Sequence, residues 1–241
     1  MFEKKNILGV GLNRDSKKLI LEYIVKSIEK SSEKYYIVTP NPELLVIASR
    51  DSRYKKTLND AKLALPDGMG VILASKLLKK GITTRITGVG LVNSLCETVA
   101  EKPITVGFLG GKPGVADKTS ECLREKYPSL KVVFAESGNP DEQTLKLIKQ
   151  KIDILFVAFG SPKQEIWISK HLKNLPVKIA IGVGGAFDFI SGEVKRAPFW
   201  VRNIGLEWLF RLIIQPWRIK RQFSLLVFLL LILKEKFLDF Q

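Results

Sequence analysis

A mostly parallel α/β sheet with helices on both faces is the fold class that this 241-residue sequence predicts. Five short runs, at residues 35–38, 104–109, 132–135, 152–158 and 177–183, are nearly continuously apolar and rich in β-branched and aromatic residues. Such runs mark strands buried on both faces. Stretches of helical periodicity lie between them, and strands that alternate with helices pair in parallel. Composition then shifts near Lys195, where Arg-, Trp- and Leu-rich helical sequence replaces the alternation. The expected organisation is therefore a core over residues 1–194 and a helical appendage over 195–241.

The elements follow in order. The strand at 35–38 ends on Thr39-Pro40-Asn41, and Pro42 suits the first turn of a helix over 42–50. A second helix spans 68–79, after the apolar run that ends at Pro66. The strand at 104–109 runs into Gly110-Gly111, and a helix follows over 112–127. The strand at 132–135 precedes a helix expected over 141–151, and the strand at 152–158 comes next. In the helix over 162–172, Ser161 reads as N-cap, Pro162 as the first helical residue and Gln164 as the closing member of a capping box. The strand at 177–183 ends on Gly184-Gly185. Ligands of such sheets bind beyond the carboxyl ends of the strands, so these loops are where chemistry is expected.

Lys and Arg number 39 against 24 acids, a formal net charge of +15. That excess calls for a polyanionic partner. Over residues 195–222 seven bases accompany Trp200, Trp208 and Trp217, with Glu207 the only acid, and an apolar run at 223–233 follows. Bases and tryptophans beside an apolar segment fit an anionic membrane surface better than nucleic acid. The apolar run has eleven residues, short of the roughly 20 that a spanning helix needs. It is expected to lie in the interface or to pack on protein, and its exposure invites self-association into a homo-oligomer. Residues 1–6 are charged and lack the apolar core of a secretory signal, which points to the cytoplasmic face of the membrane as a peripheral protein. Cys96 and Cys122 have no paired spacing, which argues against a disulfide framework or a zinc site.

Three glycine-bearing loops read as anion sites. Gly110 and Gly111 precede a helix N-terminus whose free N–H groups suit a phosphate, or else form a tight turn. Gly160-Ser161-Pro162-Lys163-Gln164 reads as a helix cap, which does not conflict with a nucleotide contact at the same N-terminus. In Gly184-Gly185-Ala186-Phe187-Asp188 the acid lies among apolar residues, where it either caps local backbone or accepts hydrogen bonds from a ligand. Two further segments carry the groups of a reaction centre, Thr39 and Asn41 after one strand and Asp67 after another apolar run. Asp67 reads as a general base or as the N-cap of the next helix, and spacing alone favours the cap.

Other chemistries find less support. His171 is the only histidine and sits in a surface-like helical pattern, which argues against a Ser–His–Asp triad or a multi-histidine metal site. No Asp-x-Asp pair is present to hold a divalent ion, so leaving-group charge falls to helix N-termini, Arg85 and the tail arginines. A dinucleotide-dependent oxidoreductase lacks its strand-linked GxGxxG. A non-enzymatic, membrane-bound nucleotide-binding protein is opposed only by the Thr39, Asn41 and Asp67 group.

Taken in order, several segments resemble the WecG/TagA/CpsF glycosyltransferase family. They are Thr39-Pro40-Asn41-Pro42-Glu43-Leu44, Leu65-Pro66-Asp67-Gly68, Arg85-Ile86-Thr87-Gly88 and Phe108-Leu109-Gly110-Gly111. Phe159-Gly160-Ser161-Pro162-Lys163-Gln164-Glu165, Gly182-Val183-Gly184-Gly185-Ala186-Phe187-Asp188 and the tail from Arg196-Ala197-Pro198 through Gly205-Leu206-Glu207-Trp208 to Arg211, Arg218 and Arg221 complete the set. The resemblance implies a Rossmann-like, inverting, metal-independent enzyme without a cofactor. It would move N-acetylmannosamine or a related sugar from a UDP-sugar donor to a polyprenyl-diphosphate-linked acceptor, in teichoic acid or other surface-polymer synthesis. It also implies roles: Asp67 as catalytic base, and Thr39, Asn41, Arg85 and Gln164 in the substrate pocket. Gly110, Gly111, Gly160, Gly184 and Asp188 would contact UDP, and Arg211, Arg218 and Arg221 would grip the lipid diphosphate. One departure is Gly90, where the family often carries an acid.

Overall fold

The computed structural model describes residues 2–203, 205–216 and 219–238, and the side chains of Asn203, Lys220 and Arg221 fall outside that description. An antiparallel hairpin of β1 (Lys4–Ile7) and β2 (Val10–Asn13) opens the chain, followed by α1 (Lys17–Lys30) and β3 (Tyr35–Val38). Next come α2 (Pro42–Arg50), α3 (Ser52–Asp60), the two-residue β4 (Leu63–Ala64), α4 (Met69–Leu77) and α5 (Gly88–Val99). The second half of the sheet is built from β5 (Thr105–Gly110), α6 (Val115–Lys126), β6 (Lys131–Glu136), β7 (Ile152–Ala158), α7 (Lys163–His171) and β8 (Val177–Gly182). The chain then runs through α8 (Ala186–Ile190), α9 (Phe199–Asn203), α10 (Glu207–Ile214) and α11 (Ile219–Leu238).

The six strands β4-β3-β8-β7-β5-β6 form one sheet in which every pair is parallel, as the continuous apolar runs predict. Side chains alternate across it. Tyr36, Val38, Leu155, Val157 and Ala180 join the core under α2, α3, α4 and α7. Tyr35, Ile37, Phe108, Ile154, Phe156 and Ile181 join the core under α1, α5, α6 and α8. Phe108 stacks on Phe156 at 5.5 Å and meets Phe187 edge-on at 5.7 Å, which ties β5 and β7 to the segment after β8. From β3 the chain continues outward to β4, and from β5 it continues outward to β6 on the opposite side. Between those excursions the loops diverge and leave a crevice at the carboxyl edge.

Two expectations are corrected. The helix expected over 141–151 is only a 3₁₀ turn at Thr144–Leu147. Asp141 Oδ1 accepts from the Thr144 N–H at 2.9 Å, and the Asp141 carbonyl accepts from Trp167 Nε1 at 2.9 Å. Such local side-chain bonds compete with helical ones. His171 is buried rather than on the surface, packed against the Trp167 ring at 5.4 Å, and burial pushes its pKa down.

The apolar run at 223–233 lies within the 20-residue α11, which packs on α2 and α4. Phe228 and Ile232 are buried in the same core as Leu44 and Leu45 of α2, and Glu235 Oε2 accepts from the Leu8 N–H of the hairpin at 2.9 Å. Phe223, Leu226, Leu230 and Phe237 face outward. Among the described residues no helix is long and apolar enough to cross a membrane.

The two faces of α11 are expected to respond differently to truncation. Ile232→Ala should lower the unfolding free energy by about 2–4 kcal/mol, the range for emptying a buried aliphatic site. Leu230→Ala should change it by no more than about 0.5 kcal/mol. Urea unfolding followed by circular dichroism reads both.

Candidate active site

The loops after β3, β4, β7 and β8 and the turn after β5 surround one cavity of about 850 Å³, and α4, α10 and α11 supply its remaining walls. Asp67 stands on this wall with the backbone around it fixed on both sides. Its N–H donates to Pro40 O at 2.9 Å, and Ile86 N–H donates to Pro66 O at 2.9 Å. The helix cap that spacing favours for Asp67 is taken by Gly68, at φ 89°. That left-handed conformation suits glycine and frees the preceding carboxylate. The N–H groups of Gly88 and Gly68 instead face the Asp67 carboxylate and favour its ionised form. Burial, reinforced by the neighbouring Glu207 carboxylate, raises its pKa from the ordinary 3.8 to about 6, against the opposing pull of those two donors and Arg85. Gly88 opens α5 behind the Thr87 cap, and an added Cβ there would meet Val183 O at 2.7 Å. The α5 donor therefore reaches Asp67 only because the helix presses against the end of β8.

Thr39 is buried and donates from Oγ1 to Gly182 O at 3.2 Å, which joins the ends of β3 and β8. Asn41 caps α2 by accepting from the Leu44 N–H at 3.1 Å. Ser161 does not cap α7. The cap position is Pro162, after a cis Ser161–Pro162 bond, and it makes no side-chain cap bond. The Ser161 hydroxyl donates to Glu165 Oε1 at 2.7 Å. Gln164 donates from Nε2 to the same oxygen at 2.7 Å, and its Oε1 accepts from the Gly184 N–H at 3.0 Å. The expected capping box is thus replaced by a buried network that holds the Gly184 loop. Tyr54 completes it, donating to Glu165 Oε2 at 3.2 Å. Glu165 is fully buried, and its pKa is raised by burial.

Thr39, Asn41, Asp67, Arg85, Gln164, Gly111, Gly160, Gly184, Asp188 and Arg211 all line the one cavity. Gly110 is not on its wall. It stands at φ 105° with no room for a side chain, because an added Cβ would meet the Ala158 carbonyl carbon at 2.9 Å. Its place is the close approach of β5 to β7. Asp188 pairs with Arg211 Nη2 at 3.6 Å, and the guanidinium lies over the Phe189 ring at 4.6 Å. Arg218 and the side chain of Arg221 lie outside the described residues. Sequence reasoning assigned no role to Glu207 or Arg196, which are ion-paired at 3.2 Å on the cavity wall. The available signal was Glu207 as the lone acid of a basic stretch.

A parallel sheet that opens at its carboxyl edge onto a carboxylate of raised proton affinity, glycine-bearing strand ends and guanidinium groups defines a Rossmann-like α/β protein. The profile of the glycosyl transferase WecG/TagA/CpsF family matches residues 5–240. The N-acetylglucosaminyldiphosphoundecaprenol N-acetyl-beta-D-mannosaminyltransferase of Bacillus subtilis (strain 168) is 33% identical over 234 residues, covering 96% of this chain and 90% of its own. The protein of the same name from Bacillus spizizenii (strain ATCC 23059 / NRRL B-14472 / W23) is 36% identical over 204 residues, covering 83% and 79%. That of Staphylococcus aureus (strain MRSA252) is 33% identical over 239 residues, covering 97% and 93%. The chain belongs to the WecG/TagA/CpsF glycosyltransferase family.

The raised Asp67 pKa carries a stability prediction. Between 3.8 and about 6 the folded chain binds more protons than the unfolded one. This stabilisation is full below the lower value and is lost as pH rises through the upper one. Asp67→Asn, which removes the disfavoured charge, should therefore be more stable than the parent above pH 7, by up to roughly 3 kcal/mol, with the difference vanishing below about pH 4. Thermal melts across that pH range check it.

Proposed function

We propose that this protein transfers N-acetylmannosamine, or a closely related sugar, from a UDP-sugar to N-acetylglucosamine on undecaprenyl diphosphate. The product would be the linkage unit of wall teichoic acid or of another surface polymer. The observation that carries the reading is Asp67, a carboxylate of raised proton affinity in a cavity bounded by glycine-bearing strand ends on one side and a basic, apolar tail on the other. The relatives' names supply the sugar and the lipid acceptor.

In this mechanism Asp67 takes the proton of the acceptor hydroxyl as its oxygen attacks the anomeric carbon from the face opposite UDP. The bond to the diphosphate breaks, its electron pair leaves with UDP, and the configuration inverts. One base suffices, unlike the paired carboxylates of glycosidases. The departing charge is met by the backbone at Gly111 and Gly184, by Lys112 and by guanidinium groups, without a metal ion or a cofactor. Thr39 and Asn41 line the pocket beside the base, and Gln164 holds the Gly184 loop in shape.

Residues 195–241 serve in this reading as the acceptor- and membrane-binding part. Arg211, with Arg218 and Arg221, meets the lipid diphosphate, because charge-assisted hydrogen bonds are the stronger kind. The apolar wall formed by Leu73 and Leu77 of α4 with Leu225 and Leu229 of α11 continues from the polar cavity toward the lipid chain. Phe199 and Trp200, both 68% exposed, and the outer face of α11 rest on the anionic cytoplasmic face of the membrane or against a second copy of the chain.

A transfer assay with UDP-N-acetylmannosamine and a short-chain N-acetylglucosamine-diphosphate lipid tests the reading. It should yield UDP and a disaccharide of anomeric configuration opposite to the donor. Asp67→Asn should bind UDP like the parent while losing about 10²–10⁴-fold in kcat, the usual worth of a general base. Near-parental turnover in that variant removes Asp67 from its role.

A further inference from the structure

Three contacts fasten the tail to the lip of the cavity around Asp67, and an ion pair within the tail sets Glu207 beside them. Arg85 Nη1 donates to Arg202 O at 3.4 Å. Gly205, at φ 80°, lies so close to α4 that an added Cβ would stand 2.6 Å from Met69 Cγ, two residues beyond Asp67. Glu207, at the start of α10, accepts from Arg196 Nε at 3.2 Å on the wall it shares with Asp67. Arg211, one turn further along, pairs with Asp188. The glycine is required for this approach, since a side chain would drive the tail off the Asp67 loop and carry Glu207 with it.

We propose that Glu207 is a positioning residue for the transfer, its carboxylate set by the docked tail on the cavity wall it shares with Asp67 so that its charge strengthens Asp67 as a proton acceptor, with Arg196 moderating that charge. The inference rests on the glycosyl-transfer reading above.

Among the described residues, the charges around the pair can be named. Asp67 is faced by Arg85 from the loop before α5, by the N–H groups of Gly68 and Gly88, and by Glu207 from α10. Glu207 is faced by Arg196, which precedes α9. Further along the wall stand Glu43 of α2, Lys112 before α6, Asp188 of α8 and Arg211 of α10. A second carboxylate in a partly buried site disfavours ionisation of the first. Burial and Glu207 act in this direction on Asp67, and Arg85 and the two backbone donors act against them. A base that titrates near the working pH is the stronger proton acceptor while still ionised. Because Glu207 belongs to the tail rather than to the sheet, the strength of the base depends on tail docking.

The test is the pH dependence of kcat/KM, whose acidic limb reports the base in the free enzyme. Glu207→Gln should move that limb down by roughly half a unit to one unit, with UDP affinity unchanged. Arg196→Gln, which leaves Glu207 uncompensated, should move it up by a similar amount, and Arg196→Lys should restore it. Structural damage lowers kcat without moving the limb in opposite directions. A limb unmoved in both Gln variants, or moved in the same direction in both, overturns the proposal. If the parent transfers no sugar, the glycosyl-transfer reading falls instead. The coupling then stands or falls on the Asp67 carboxyl titration followed by carbon-13 NMR, where the same opposite shifts are expected. If Gln at 207 releases the tail, the two Arg196 variants carry the test alone.

Discussion

The Asp67 carboxylate is held between two backbone N–H donors and a guanidinium on one side and burial with a second carboxylate on the other. Each of these influences comes from a different stretch of chain. The Gly68 donor belongs to its own loop, the Gly88 donor to the first turn of α5, and the opposing charge to α10 at the far end of the sequence. Holding them at one point requires α5 to lie against the end of β8 and the tail to lie against α4, and glycines at 88 and 205 make both approaches sterically possible. The parallel sheet makes the convergence available, because every strand delivers its following loop to the same edge. The buried bond network from Tyr54 through Glu165 and Gln164 to Gly184 holds the facing wall.

Much of this architecture is legible in the sequence where a single physical demand governs. Strands buried on both faces are built almost wholly from apolar residues, so β3 and β7 fall where the apolar runs begin and end, with Asp153 the exception at the start of β7. The same rule fails where two demands compete. Residues 141–151 have helical periodicity, but Asp141 spends its side chain on Thr144 and its carbonyl on Trp167, and a single 3₁₀ turn remains. β4 is two residues long and leaves almost no pattern. α5 begins with glycines at 88 and 90, poor helix formers whose presence is explained by contacts with Val183 and Thr87, distant and local in turn.

The site divides in a similar way. Residue type and position after a strand were enough to gather Thr39, Asn41, Asp67, Gly111, Gly160, Gly184 and Asp188 around one cavity. The choice between cap and free carboxylate at Asp67 was not, because it turns on which residue takes the left-handed conformation, and that residue is Gly68. Gly110 shares its motif with Gly111 but serves strand packing, a distinction set by the facing Ala158 backbone. Glu207 was visible as an acid among bases and as part of a tail segment that carries the family resemblance, neither of which gave it a role. Its partner Arg196 lies eleven residues earlier, a pairing that spacing does not encode.

The double-sided character of α11 bears on how such a protein is handled. Its outer face is apolar, and the obvious remedy for a sticky helix is to cut it away. Yet Phe228 and Ile232 cover Leu44 and Leu45 on the opposite side, so excision would trade one greasy surface for another and strip the cavity of a wall. Polar replacements confined to positions such as Leu226, Leu230 and Phe237 would improve solubility while keeping the inner seam closed.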